Sequence, residues 1–181
     1  MAKKSQVIDE DNGYNRALRA LARMTGDPGI TLGIHEEDGA EPYQRGSGQT
    51  VTTAMIGTFH EFGTLDRFDD DSPAGDGRQG VPMRSFLRST ADENRSKYSK
   101  AIAKGIGDIL DGKSTIARAL GRVGAVARGD VQKKIASGIE PALTEETIRR
   151  KGSSKPLIGR YPGTGASGGQ LRQAIDYQVE D

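Results

Sequence analysis

The chain has no cysteine and no tryptophan, and aromatic residues make up only 5% of it. Without cysteine there is no disulfide framework, no thiolate nucleophile and no Cys-based zinc site, which excludes redox roles and fits maturation in a reducing cytoplasm. No stretch approaches the roughly eighteen consecutive apolar residues of a membrane-spanning helix. The start, Met1 to Gln6, also lacks the apolar run of a signal peptide. The expectation is a soluble protein with no membrane partner that is not secreted by that route. Neither sign of charge dominates: 26 Lys and Arg face 25 Asp and Glu, a net charge of +1. That balance removes any global electrostatic reason to bind nucleic acid or an anionic membrane.

Glycine, in contrast, is plentiful. There are 25 in 181 residues, about twice the ordinary usage of roughly 7%. Hydrophobic residues make up only 34%, so the core is small and much of the chain is loop. Length and composition together predict a single domain over residues 1–181 with appendages. Ordering each residue costs roughly 1 to 2 kcal/mol of backbone entropy, so partner subunits are expected to cover what the core cannot.

Tyr14, Leu18, Leu21 and Met24 recur at helical spacing among Arg16, Arg19 and Arg23, predicting an amphipathic helix over about residues 10–25 that Gly26-Asp27-Pro28-Gly29 stops. Ile30, Leu32 and Ile34 alternate as a strand, and Val51 to Ile56 reads as a second, antiparallel neighbour. Residues 63–80, with Asp69, Asp70 and Asp71 in a row, form a projecting acidic loop. Thr90 and Glu93 make a capping-box pair ahead of Tyr98, Ile102, Ile106 and Ile109, predicting a helix over about 90–111. Thr115 caps a second helix carrying Ile116, Leu120, Val123, Val131 and Ile135 as far as Gly138. A short helix starts at Thr144, residues 151–169 read as a flexible glycine-rich segment, and Ile175, Tyr177 and Val179 alternate as a final strand. The fold class expected is α+β, an antiparallel sheet packed against two long helices with extended loops.

Several motifs invite a chemical reading. Gly107 to Ser114 matches the phosphate-loop pattern, but it follows a helical apolar pattern where a buried strand is required, and Asp108 and Asp111 would face the phosphates. Gly163 to Gly168 matches a dinucleotide fingerprint without room for a βαβ unit. His35 and His60, beside Glu36, Glu37 and Glu61, have no paired-ligand spacing. No enzyme activity, cofactor, metal or small-molecule substrate is expected.

Thr58-Phe59-His60-Glu61-Phe62-Gly63-Thr64, followed by Val81-Pro82-Met83-Arg84-Ser85-Phe86-Leu87-Arg88, resembles the neck and tail-completion proteins of long-tailed bacteriophages. In that family a strand runs into a His/Glu-Phe-Gly turn, and a variable loop leads to a Pro-x-Arg-x-Phe-Leu segment. Long helices then precede a Leu-x-x-x-Ile strand, here matched by Gln170 to Ile175. The resemblance covers roughly residues 50–179. It implies a homo-oligomeric ring in the virion, assembled in the host cytoplasm. Such a ring completes the tail for head–tail joining, abuts other neck and tail proteins and lets DNA pass through its lumen.

Four expectations attach to these residues. Phe62 and Phe86 anchor the sheet and helix layers, and Gly63 permits a close turn. Arg84 pairs with a carboxylate such as Glu61 or, as the second choice, reaches a neighbouring subunit. The acidic loop at Asp69, Asp70 and Asp71 meets the basic helix at Arg118, Arg122 and Arg128 of a neighbouring subunit. The alternative is a nucleic-acid-binding module that uses the same basic helix, residues 115–137.

Overall fold

A computed structural model of the chain describes residues 13–22, 26–40, 51–64, 80–158 and 169–180. In chain order the elements are α1 (Tyr14–Ala22), β1 (Gly29–Ile34), α2 (Glu36–Gly39), α3 (Thr53–Phe62), α4 (Leu87–Leu110), α5 (Ile116–Ser137), α6 (Glu145–Lys151), α7 (Gln170–Gln173) and β2 (Ile175–Glu180). The architecture is α+β: a two-stranded antiparallel sheet packed against long helices.

The sheet joins the two ends of the described chain. β1 pairs with β2, from Gly29 opposite Glu180 to Ile34 opposite Ile175. Because side chains alternate along a strand, Ile30, Leu32 and Ile34 share a face with Val179, Tyr177 and Ile175. That face rests on α5. A Cβ at Gly124 would lie 2.2 Å from Tyr177 Cδ2, so only glycine lets the tyrosine ring lie on the helix backbone there.

α4 packs antiparallel along another side of α5. Lys97 and Tyr98 both donate to Asp130 Oδ2 (2.5 and 3.0 Å), Lys134 pairs with Glu93 and Arg122 with Asp108. A Cβ at Gly105 would lie 3.1 Å from Ala119 Cβ, so the two helices approach closely there. The core gathers Phe86, Val131, Ile135, Leu157, Leu171 and Ile175 between the α4 start, α5 and the sheet.

Thr115 caps α5 by accepting from the Arg118 amide, and Thr144 caps α6 by accepting from the Thr147 amide. Three expectations change. Val51 to Ile56 does not pair with β1: Thr52 accepts from the Met55 amide at 3.3 Å, and α3 begins. A short apolar run with a threonine ahead of it suits either structure, and burial of Thr53, Gly57 and Glu61 on one helical face decides for helix. Next, α4 starts at Leu87, three residues before the expected cap, and the Thr90 hydroxyl bonds back to Phe86 O instead. Finally, the Leu171 to Ile175 segment is not a strand throughout, because Leu171 lies in the single turn α7 and β2 opens at Ile175. The outer residues of the expected N-terminal helix and the acidic 65–79 stretch lie outside the described residues, as does most of the glycine-rich segment.

Candidate interaction surface

The two motifs that carry the family resemblance meet in one joint. α3 delivers Glu61 to the point where α4 begins, and that carboxylate is 5% exposed. Its Oε1 accepts from Ser85 Oγ at 2.6 Å and the Arg88 amide at 3.0 Å. Its Oε2 accepts from the Phe86 and Leu87 amides at 2.8 and 2.9 Å. The first amides of a helix have no partner within it and carry the positive end of its dipole. Glu61 therefore caps α4 from another helix, where an ordinary cap is local in sequence. Burial pushes its carboxyl pKa up, but the Ser85 hydroxyl and the Leu87, Arg88 and Phe86 amides outweigh that and hold it below the usual range.

Gly63 makes the joint possible. Its φ of +73° is the left-handed region, and a Cβ would lie 3.0 Å from Met83 N and 3.1 Å from Val81 O. The chain leaves at Thr64, whose amide donates to Val81 O at 2.8 Å and whose hydroxyl accepts from the Val81 amide at 2.6 Å. The Arg84 amide donates to His60 O at 2.6 Å, so the two motifs run side by side.

The expected Arg84–Glu61 pair does not form. Glu61 is fully engaged at the helix start, and buried Arg84 sends its Nε to Pro141 O at 2.8 Å. Burial pulls its pKa below the usual value, with Glu140 opposing. His60 lies beside it with a buried, unpartnered Nδ1. Burial, then Arg84 and Lys151, lower the histidine to about 4, so it is neutral at physiological pH. Lys151 is brought to about 8 by burial and then by Arg84, and its ammonium donates to the Lys155 and Pro156 carbonyls. Phe86 is buried as expected, but Phe62 is not an anchor: it is 66% exposed. Glu61 takes the inward position of that turn, and Phe62, the next residue, is carried outward.

The basic residues of α5 do not form one stripe. Arg128 lies over the sheet, bonded to Asp176 at 3.0 Å with its guanidinium 5.8 Å from the Tyr177 ring centre. Arg122 and Lys134 pair with α4 carboxylates, whereas Arg118 and Lys133 are exposed. Asp69, Asp70 and Asp71 lie outside the described residues, so their meeting with α5 stays an expectation.

The phosphate-loop lookalike is the last turn of α4 and its connection to α5. The Lys113 and Ser114 amides both donate to Asp108 O, and the Lys113 ammonium pairs with Asp111. Those amides are turned inward, away from any phosphate. The dinucleotide lookalike at Gly163 to Gly168 lies outside the described residues. His35 lies near the Asp176 carboxylate, but no group of three or more potential metal ligands occurs among the described residues. No described helix is long and apolar enough to cross a membrane.

Sequence reasoning picked out Glu61 but gave it the wrong partner. The signal that points to its role is a lone acidic residue at the inward position of an otherwise uncharged helix, ahead of a helix whose own first turn offers no acidic residue. No family model, curated protein or solved structure matches the chain.

Proposed function

We propose that the protein is a structural subunit of a long-tailed bacteriophage virion. It forms a homo-oligomeric ring at the neck or tail end that completes the tail and supports head–tail joining. Its partners are further copies of itself and other neck and tail proteins, with DNA passing through the lumen, and it works by binding geometry, not by catalysis. The supporting observation is the joint: the His-Glu-Phe-Gly and Pro-Met-Arg-Ser-Phe-Leu segments, separated in sequence, are bolted together through one buried carboxylate. A resemblance carried by two short motifs is stronger when the motifs build one structural unit.

The duplex-binding alternative needs a continuous cationic face on α5. Arg122, Arg128 and Lys134 are each engaged by a carboxylate of the same chain, which leaves that face weak. Lack of retention on DNA at low salt would remove it.

The test of the virion reading is electron microscopy of particles from phage carrying an early stop codon in this gene. Filled heads lying apart from tails, or tails of abnormal length, are expected. Normal infectious virions would overturn the proposal.

A further inference from the structure

The end of α3, the approach to α4 and the stretch after α5 bring three nitrogen-bearing side chains together beside the joint. His60 and Arg84 are neighbours, because the Arg84 amide donates to the His60 carbonyl at 2.6 Å. Arg84 Nε reaches Pro141 O at 2.8 Å, and the Lys151 ammonium donates to Lys155 O at 3.0 Å and to Pro156 O. Pro156 precedes Leu157, which is buried in the same cluster as Phe86, two residues beyond Arg84. The three groups feel one another: Arg84 and Lys151 both pull the imidazole down, and Arg84 pulls the ammonium down.

The acceptors that Arg84 and Lys151 meet are all neutral carbonyls. Among the described residues no carboxylate lies within ion-pair distance of Arg84, Lys151 or His60. Glu140 acts on Arg84 only at a distance, and its carboxylate accepts from the Ala142 amide at 2.8 Å. Carbonyls satisfy donors but cancel no charge, and Arg84 is 4% exposed. Charges this far from water are as a rule paired. Here two cations share one cluster, and no anion is bonded to either.

Donors are also left over. Arg84 Nη1 and Nη2 make no hydrogen bond among the described residues and are not sealed from solvent. His60 Nδ1 is buried and without a partner. The ammonium has a third hydrogen beyond the two carbonyls it meets. Glu140 and Pro141 at the rim are exposed, so a small solute can reach the guanidinium.

A guanidinium fork, an ammonium and an imidazole suit an oxyanion. Charge decides its class. A carboxylate brings one negative charge and two coplanar oxygens, which leaves one cation unpaired. A tetrahedral dianion brings two charges and turns its oxygens in several directions, enough for all three donors.

We propose that Arg84, Lys151 and His60 form a binding site for a small tetrahedral dianion of the phosphate class, either inorganic phosphate or a phosphate monoester. The proposal is independent of the virion reading.

The test titrates the full chain with sodium phosphate at neutral pH by calorimetry, with ionic strength held constant by sodium chloride. One saturable site is expected, and the melting temperature rises with phosphate but not with chloride. Methyl phosphate identifies the source: binding as tight as that of phosphate points to a monoester, and much weaker binding points to the free ion. Dimethyl phosphate keeps the tetrahedral centre but carries one charge, and it should bind more weakly than phosphate by about tenfold or more. Lys151→Met keeps the apolar stem and removes the ammonium, and Arg84→Lys keeps a charge and removes the fork. Each should weaken phosphate binding by about tenfold or more with an unchanged circular dichroism spectrum. Should Arg84→Lys fail to fold, Lys151→Met, altered at a half-buried helix end, carries the comparison. Heteronuclear NMR needs no variant: the Arg84 Nε–H signal should move along the same saturation curve as the heat. The absence of saturable heat in the wild type overturns the proposal. So does dimethyl phosphate that binds as tightly as phosphate, a Lys151→Met protein of wild-type affinity, or an Arg84 signal that stays in place.

Discussion

The two ends of α4 are held in opposite ways. At its start, four donors converge on one buried carboxylate from a different helix, and the incoming chain is threaded past a glycine where no Cβ fits. At its end, Asp111 and Lys113 pair in open solvent, Gly112 turns the chain with a φ of +72°, and α1 leans on the turn with its polar side. A carboxylate shielded from water cannot be removed without stranding its donors, whereas water readily replaces an exposed ion pair. The first end therefore fixes the architecture, and the second leaves the apolar side of α1 exposed.

The sharpest way to break this comparison is Glu61→Ala. It strands three backbone amides and a hydroxyl at a buried helix start, and should cost about 3 kcal/mol or more in urea unfolding. Glu61→Gln retains one acceptor oxygen and should lose less. A loss below about 1 kcal/mol for Glu61→Ala would mean that the cap does not organise the joint.

Gly63→Ala comes next. Forcing a Cβ into the left-handed region against Met83 N should cost about 1 to 3 kcal/mol, read from the same unfolding midpoint. An unchanged midpoint would show that the joint tolerates a shifted backbone.

Acidification tests the joint as a whole. His60 titrates at about 4 when folded, against roughly 6.5 in an unfolded chain. Between those values only the unfolded state binds the proton, so stability falls as pH drops from about 6.5 to about 4. Glu61 has a lowered folded pKa, so its contribution is present above its unfolded value and is lost as pH falls through the folded one. Thermal melts across this range should show a declining midpoint, and His60→Gln should flatten the upper part of the decline and leave the lower part. A flat profile in the wild type would argue against a buried neutral histidine.

The smallest effect is expected at the other end. Lys113→Ala, which removes an exposed pair, should leave the unfolding midpoint within error of wild type. A clear loss would erase the contrast between the two ends.

Legibility in the sequence follows the same division. α5 was readable from Thr115 to Gly138 because its cap, its apolar period and its terminator are all local, and α6 from Thr144 for the same reason. β2 was readable from the alternation of Ile175, Tyr177 and Val179. The partner of β1 was not, since an apolar run of strand-like length at Val51 to Ile56 stood closer in sequence than β2 does. In the candidate site, Glu61, Arg84 and Gly63 could be singled out from their motifs, but the bonds they make could not. Ile102 and Ile106 fit a buried helical period and are nevertheless exposed, because α5 covers only the neighbouring face of α4.

By itself, then, the sequence determined the two long helices, the Thr115 cap of α5 and the last strand, all of which depend on neighbours a few residues away. Only the tertiary structure decided that β1 pairs with β2, that Glu61 caps α4 rather than meeting Arg84, and that Phe62 and the apolar side of α1 face outward. Those outcomes depend on which distant surfaces compete for one another. Such competition is settled by burial and by the satisfaction of polar groups across the whole chain, and no local pattern records it.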